Sequence, residues 1–386
     1  MIPSCLTTTA LLLSNSCAPF GLDPPVPRIY DSPSLSQKRP VSTLTCRWRC
    51  VVKRLLKIVG FVLVGLIVVA LGAVAYAAAT TDGRLRFPET PRPEITASQD
   101  PAVIERGRYL VHGPAHCEQC HSNDERAHPE KTGTTPLHGG LSFVMGPLGT
   151  RYARNLTSHA TTGLGRYTDA EIARVLRTGV LHDGEVSFFM RFAASDLATD
   201  DIVAVLSYLR SLAPVEREVP PGRWTVVGKV LLTYAFAPLE PRRTPAPTSV
   251  PASDVPSVAR GEYLVERVML CTSCHTATNP TTFEVVGPKA GGSLPEASHG
   301  DDSDMEFVAP NLTSHPTGWT GRTTEDAFVA RLKAGRVHRS SIMPWESFGR
   351  TSEADLRSVY AYLRSLPPAD RDVGLTYRKI GAGDQR

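Results

Sequence analysis

The pattern of apolar and polar positions divides the chain sharply. From Ile58 to Ala79 it reads IVGFVLVGLIVVALGAVAYAAA, without a charge and interrupted only by glycines and one tyrosine. A run of this length crosses a bilayer as one helix, and a buried core helix would show a polar stripe that is missing here. A transmembrane helix is therefore expected over residues 58–80. Beyond it, apolar residues recur at helical spacing. Thr168-Asp169-Ala170-Glu171 has the form of a capping box, Ile172, Val175 and Leu176 follow, and Gly179 offers a stop. Thr199 leads Ile202, Val205, Leu206 and Leu209 with Pro214 past the end; Ser352 leads Leu356, Val359, Tyr360 and Leu363, closed by Pro367. No stretch alternates with the period of two of a half-buried strand, so the expected fold class is all-α.

The helical pattern occurs twice. Arg106-Gly107-Arg108-Tyr109-Leu110-Val111 returns as Arg260-Gly261-Glu262-Tyr263-Leu264-Val265; Asn155-Leu156-Thr157-Ser158-His159 returns at Asn311 to His315, and Tyr208-Leu209-Arg210-Ser211-Leu212 at Tyr362 to Leu366. The copies lie 154 to 156 residues apart. Solenoid units repeat every 20–50 residues or so, so this spacing means tandem domains. The expected organisation is a tail over 1–57, the span over 58–80, a linker stiffened by Pro88, Pro91 and Pro93 over 81–99, a first domain over 100–215, a Pro-rich connector over 216–253, a second domain over 254–370 and a C-terminal tail over 371–386. Inside the connector, Trp224 to Phe236 is apolar enough to form a packed helix.

Charge orients the span. The net charge is +4, but residues 1–57 hold eight Lys or Arg against two Asp, which leaves −2 for residues 58–386. Arg47, Arg49, Lys53, Arg54 and Lys57 precede the apolar run, and Asp82 and Arg84 follow it without net charge. Positive flanks stay inside, so a single pass through a bacterial inner membrane is expected, with the N-terminus cytoplasmic and the repeats periplasmic. A cleaved signal peptide, using the small residues Ala75 to Ala79, is the alternative. Residues 1–45 are rich in Pro, Ser and Thr and are expected to be a disordered tail, or the product of a start codon set too far upstream; Leu12 to Cys17 fits a lipoprotein signal poorly. Nothing in the charge balance of the main body calls for nucleic acid.

The chemistry is concentrated in one stretch that also repeats, Cys117-Glu118-Gln119-Cys120-His121 and Cys271-Thr272-Ser273-Cys274-His275. Cys-x-x-Cys-His is the attachment sequence of c-type haem: two thiols add to the vinyl groups, and the adjacent imidazole takes an axial position on iron. On a helical turn, i, i+3 and i+4 share a face and can meet one flat macrocycle. Zinc would need two more ligands per site, and a redox dithiol would not need the histidine. Cys46 and Cys50 precede Val51, where the motif needs His. Two covalent haem c groups are expected, held by Cys117, Cys120 and His121 and by Cys271, Cys274 and His275.

The opposite axial position decides what such an iron does. Met190 and Met343 stand 70 and 69 residues after Cys120 and Cys274, each before the last helix of its copy, and are the expected sixth ligands, with a proline after Met343 and Arg191 after Met190. A Met ligand raises the potential and closes the site, which suits electron transfer. Met145, Met269 and Met305 have no counterpart in the other copy. His182 and His338, or His159 and His315, are the competing ligands.

With these residues in place, the chain resembles class I c-type cytochromes twice over, across 100–215 and 254–370. The resemblance implies that a glycine of the first helix meets an aromatic of the last, Gly107 with Tyr208 and Gly261 with Tyr362. More narrowly, Asn311 to Thr320 and Met343-Pro344-Trp345-Glu346-Ser347-Phe348 resemble the cytochrome c subunits of membrane-bound alcohol, aldehyde and gluconate dehydrogenases, which usually carry three haems where this chain has two motifs. The function expected is a membrane-anchored dihaem electron carrier that performs no substrate chemistry. A membrane-bound dehydrogenase or quinol-oxidising complex would be its donor, and a soluble cytochrome or terminal oxidase its acceptor. The alternative is a dihaem cytochrome c peroxidase-like enzyme, which would need one open iron.

Overall fold

Side-chain caps written in the sequence open six of the described helices. The computed structural model describes residues 42–122, 133, 136–243, 245–250, 253–280, 282, 284–297, 304–338 and 341–381, so Leu12 to Cys17 and most of the expected tail lie outside the described residues. Helix α1 runs unbroken over Ser42–Arg84, and apolar side chains along its middle stand exposed. Among the described residues it is the one helix long and apolar enough to cross a membrane.

Residues 66–386 form one compact unit. The first copy contributes α2 (Pro101–His112), α3 (Glu118–His121), strands β1 (Ser142–Val144) and β2 (Gly149–Tyr152), α4 (Asp169–Thr178), α5 (Met190–Ala193), α6 (Thr199–Ser211) and β3 (Arg223–Trp224). Helix α7 (Val226–Tyr234) follows, within the expected connector. The second copy contributes α8 (Val258–Tyr263), prolonged by a π turn over Leu264–Val268, then α9 (Cys271–Cys274), β4 (Glu296–Ala297), β5 (Met305–Phe307), α10 (Trp319–Arg322), α11 (Glu325–Lys333), α12 (Trp345–Gly349), α13 (Glu353–Ser365) and β6 (Tyr377–Lys379). Asp100 caps α2 through Ala102 N at 2.8 Å, the Thr168–Glu171 capping box opens α4, and Gly179 ends it in the left-handed region at φ 75°.

The mainly helical expectation holds, but all-α needs an addition: two antiparallel three-stranded sheets, β1-β2-β3 and β4-β5-β6. They are themselves duplicated, since Ser142 and Glu296, Gly149 and Met305, and Arg223 and Tyr377 begin corresponding strands. Strands of two to four residues are too short to write an alternating pattern. The third strand of each sheet lies beyond 215 and 370, so the repeated unit extends past its helices.

In each copy the first helix crosses the last at a glycine. A Cβ on Gly107 would overlap the Ala204 carbonyl, and one on Gly261 the Ser358 carbonyl; the Tyr208 and Tyr362 Cβ atoms would each lie 2.7 Å away. Only glycine lets α2 meet α6, and α8 meet α13, this closely. Arg106 Nε donates to Asp201 at 3.0 Å and Arg260 Nε to Asp355 at 2.8 Å, within each copy. The tyrosine of the same motif reaches the other copy. Tyr109 OH donates to Asp355 at 2.6 Å and Tyr263 OH to Asp201 at 2.7 Å, and each hydroxyl accepts a backbone N–H at the start of that partner helix, Ser352 N and Ala198 N. This reciprocal clasp joins the copies, and one hydrophobic core runs through both, from Leu110, Ile202 and Leu206 to Leu264, Phe328 and Leu356.

Candidate cofactor-attachment sites

The two Cys-x-x-Cys-His stretches are placed alike. His116 and Leu270, each just before the first cysteine, take left-handed backbone conformations with φ of 44° and 55°. For a residue with a Cβ this costs on the order of 1–3 kcal/mol, and here it turns the chain out of the first helix into a new helical turn. His121 N–H donates to the Cys117 carbonyl at 3.1 Å and His275 N–H to the Cys271 carbonyl at 2.9 Å, the i to i+4 bond that puts both sulfurs and the imidazole on one face. Among the described residues no disulfide forms, and burial pushes the Cys117 and Cys271 thiols up to about 12, so both are protonated.

The two imidazoles make the same bond. His121 Nδ1 lies 2.7 Å from the Arg154 carbonyl and His275 Nδ1 lies 2.8 Å from the Pro310 carbonyl. A nitrogen facing a carbonyl oxygen carries the proton, so Nε2 keeps its lone pair; burial lowers both pKa values and favours this neutral form. The carbonyls are held by the repeated Asn-Leu-Thr segment that follows them. Asn155 Nδ2 donates to the Val215 carbonyl at 2.8 Å and Asn311 Nδ2 to the Ala369 carbonyl at 2.7 Å, while each Asn Oδ1 accepts the N–H two residues on. Paired thiols on a helical turn, with a neutral imidazole aligned by its far nitrogen, are a donor set that fits covalent haem. Among the described residues no three His, Cys, Asp or Glu side chains come together as a metal-ion site.

Met190 opens α5 and Met343 stands two residues before α12; both are half-buried and pack against the shared core. The competing histidines have other engagements. His182 packs at a tilt against Tyr167 and His338 against Tyr377, with centroids 4.5 and 4.9 Å apart. His159 Nδ1 accepts from Thr162 Oγ1 and His315 Nδ1 from Thr317 Oγ1, both at 2.9 Å.

One cluster beside the first motif had no signal in the sequence. Glu118, an unassigned position of Cys-x-x-Cys-His, is fully buried; it accepts from His112 Nδ1 at 2.5 Å and pairs with Arg350 of the other copy. Tyr208 OH donates to His112 Nε2 at 2.7 Å, and burial, with Arg350 and Arg108 nearby, pushes His112 down to about 4, so it is neutral. The second copy transposes the acid: Glu266 replaces His112, accepting from Thr272 Oγ1 at 2.8 Å, Tyr362 OH at 3.0 Å and Lys289 Nζ at 2.9 Å. Gln119, also inside the first motif, donates from Nε2 to the Ile342 carbonyl at 2.9 Å, next to Met343. The attachment turn of one copy thus touches the methionine loop of the other.

No protein-family profile matches the chain. Among curated proteins it is 30% identical over 298 residues to the cytochrome c subunit of the quinone-dependent alcohol dehydrogenase of Komagataeibacter europaeus, covering 72% of this chain and 59% of that subunit. It is 28% identical over 287 residues to the gluconate 2-dehydrogenase cytochrome c subunit of Pantoea cypripedii (70% and 60%), and 27% identical over 289 residues to the fructose dehydrogenase cytochrome subunit of Gluconobacter japonicus (72% and 55%). The chain resembles the cytochrome c subunits of alcohol, gluconate and fructose dehydrogenases. It spans 55 to 60% of the length of these three relatives. The resemblance agrees with the dehydrogenase-subunit likeness of the Asn311 to Thr320 and Met343 to Phe348 segments.

Proposed function

We propose that the chain is a membrane-anchored dihaem c-type cytochrome that relays single electrons from a dehydrogenase or quinol-oxidising complex to a soluble cytochrome or terminal oxidase. Cys117 and Cys120 would hold one haem and Cys271 and Cys274 the other, with His121 and Met190 as ligands to one iron and His275 and Met343 to the other. When bound, each haem supplies an iron that changes oxidation state by one electron. The observation that carries the reading is the duplicated commitment of Nδ1 to a backbone carbonyl at 2.7 and 2.8 Å, which fixes the ring and leaves Nε2 basic in both copies. The Gln119 to Ile342 bond supports a short route between the two sites, and the dehydrogenase subunits among the relatives support a dehydrogenase as donor. The apolar middle of α1 and the basic residues before it support an anchor in a bacterial inner membrane, with the two copies periplasmic.

Intact-mass spectrometry of protein matured in a host competent for haem c attachment tests the reading. Two added haem masses are expected, and a bare polypeptide refutes it. Rapid turnover of hydrogen peroxide, or carbon monoxide binding to one reduced haem, would instead assign the peroxidase-like alternative.

A further inference from the structure

Helix α7 presents an apolar stripe to the surroundings while each of its other faces is occupied. Val226, Val227 and Tyr234 are 53%, 53% and 56% exposed, and Val230 and Leu231 complete the stripe at helical spacing. Gly228 lies against the Leu148 carbonyl so closely that a Cβ would overlap it, and Thr225 Oγ1 caps the helix through Gly228 N at 2.9 Å. Leu232 packs against the small cluster of Leu85, Val186 and Leu239. Lys229, the one charge on the helix, is bound by Asp82 at 2.6 Å, and the Thr233 and Thr81 hydroxyls meet at 2.8 Å. The outward stripe therefore carries no charge at all.

The far end of α7 reaches the apolar run of α1. Tyr234 OH donates to the Ala73 carbonyl at 3.1 Å, and Ala77 is 0% exposed. Ala73 lies six residues before Ala79, the end of that run, so at about 1.5 Å per residue it sits roughly 9 Å inside it. A helix that touches a membrane span at this depth, with its free face wholly apolar and a tyrosine at its lower end, has the composition of an interfacial element.

We infer that α7 is a second membrane-seated element, whose Val226, Val227, Leu231 and Tyr234 face contacts lipid acyl chains in the leaflet on the side of the two copies. The inference rests on α1 crossing the bilayer. A single span lets the attached body swivel about its axis; a helix buried beside it fixes the rotation and keeps one side of the first copy at the surface. Continuity with the span selects lipid over a protein partner as the occupant, because any partner on this face would itself have to enter the hydrocarbon.

The test uses the full-length, haem-loaded chain with Cys5, Cys17, Cys46 and Cys50 replaced by Ser. A nitroxide is attached at Val227→Cys, and in separate samples at Val64→Cys in α1 and Leu375→Cys on the second copy. The samples are reconstituted in phosphatidylcholine–phosphatidylglycerol vesicles with the haems reduced, and a haem spectrum identical to the parent certifies each fold. Power-saturation EPR then compares collision with oxygen, which partitions into lipid, against a water-soluble nickel chelate. The oxygen-to-nickel ratio at residue 227 is expected to exceed that at 375 several-fold and to approach that at 64. A ratio at 227 equal to that at 375, with 64 lipid-like, overturns the inference and leaves the anchor standing. Exclusion of both reagents from 227 assigns the face to a protein partner and also overturns it. A water-like ratio at 64 removes the anchor itself.

Discussion

Replacing Tyr263 with Phe deletes one oxygen from the clasp between the copies, and replacing Tyr109 deletes its twin. Each hydroxyl donates to a buried aspartate at 2.7 or 2.6 Å and accepts a backbone N–H from the same copy as that aspartate. A hydrogen bond to a charged group contributes about 1.5–3 kcal/mol, and Arg106 and Arg260 remain to keep the aspartates compensated, so each single variant should lose about that much. At about 1.5 °C per kcal/mol for a body of this size, the midpoint should fall roughly 2–5 °C in thermal unfolding followed by far-ultraviolet circular dichroism. The pH dependence gives a second reading. Burial and the facing Asp355 carboxylate push Tyr109 up to about 12, above the ~10 of an unfolded tyrosine. A group whose folded pKa is raised contributes stability that is complete below the unfolded pKa and disappears as pH climbs through the folded one. Between pH ~10 and ~12 the parent should therefore lose roughly 2–3 kcal/mol that Tyr109→Phe has already lost, making the variant's curve flatter there. Tyr263 is raised for the same reasons, with Asp201 facing it, and should behave alike. A Tyr109→Phe protein with the parent's midpoint at pH 7 and the parent's full alkaline slope would refute the clasp.

Substitutions at three further places have expected outcomes. Gly261→Ala forces α8 away from the Ser358 carbonyl and should cost about 1–3 kcal/mol or more in urea denaturation, with Gly107→Ala matching it at the equivalent crossing. Glu118→Gln leaves Arg350 without its carboxylate and should cost about 3 kcal/mol, the low end for a broken buried pair because the Arg350 side chain keeps 32% exposure. The same variant removes a negative charge beside the first attachment turn, so spectroelectrochemical titration should show one midpoint potential rising and the other holding. Met343→Leu should abolish the weak Met-to-iron charge-transfer absorption of one oxidised haem and lower one midpoint; an unchanged absorption would exclude Met343 as a ligand.

Much of the helical frame was legible because it is written locally. The Thr168–Glu171 box closes as spelled, with Thr168 N donating to Glu171 at 3.0 Å, and Gly179 stops α4 where its φ requires glycine. The helical turns of the two Cys-x-x-Cys-His stretches were legible for the same reason: five residues need one turn and nothing from afar. The strands were not, since β2 and β3 pair Thr150 with Arg223 across a whole helical domain and neither strand is long enough to show a period. His116 and Leu270 carry no glycine or asparagine signal for their left-handed backbone; the geometry around them holds it in place.

The copies' mutual contacts were hidden by the repeat itself. Aligning the copies sets Tyr109 beside Tyr263 and Asp201 beside Asp355, which correctly says that each pair shares a role. The bonded partners, however, are Tyr109 with Asp355 and Tyr263 with Asp201, one step across the alignment rather than along it. The Arg-Gly-x-Tyr motif repeats because three forces act on three of its residues: Arg106 and Arg260 neutralise the aspartate of their own last helix, glycine admits that helix, and tyrosine reaches the neighbouring copy. A repeated tyrosine whose own copy already satisfies the adjacent arginine is thus the mark a reciprocal interface leaves in a duplicated chain. By the same logic Glu118 and Arg350, which are not duplicated, mark where the two copies have stopped being equivalent, and where the potentials of the two sites should part.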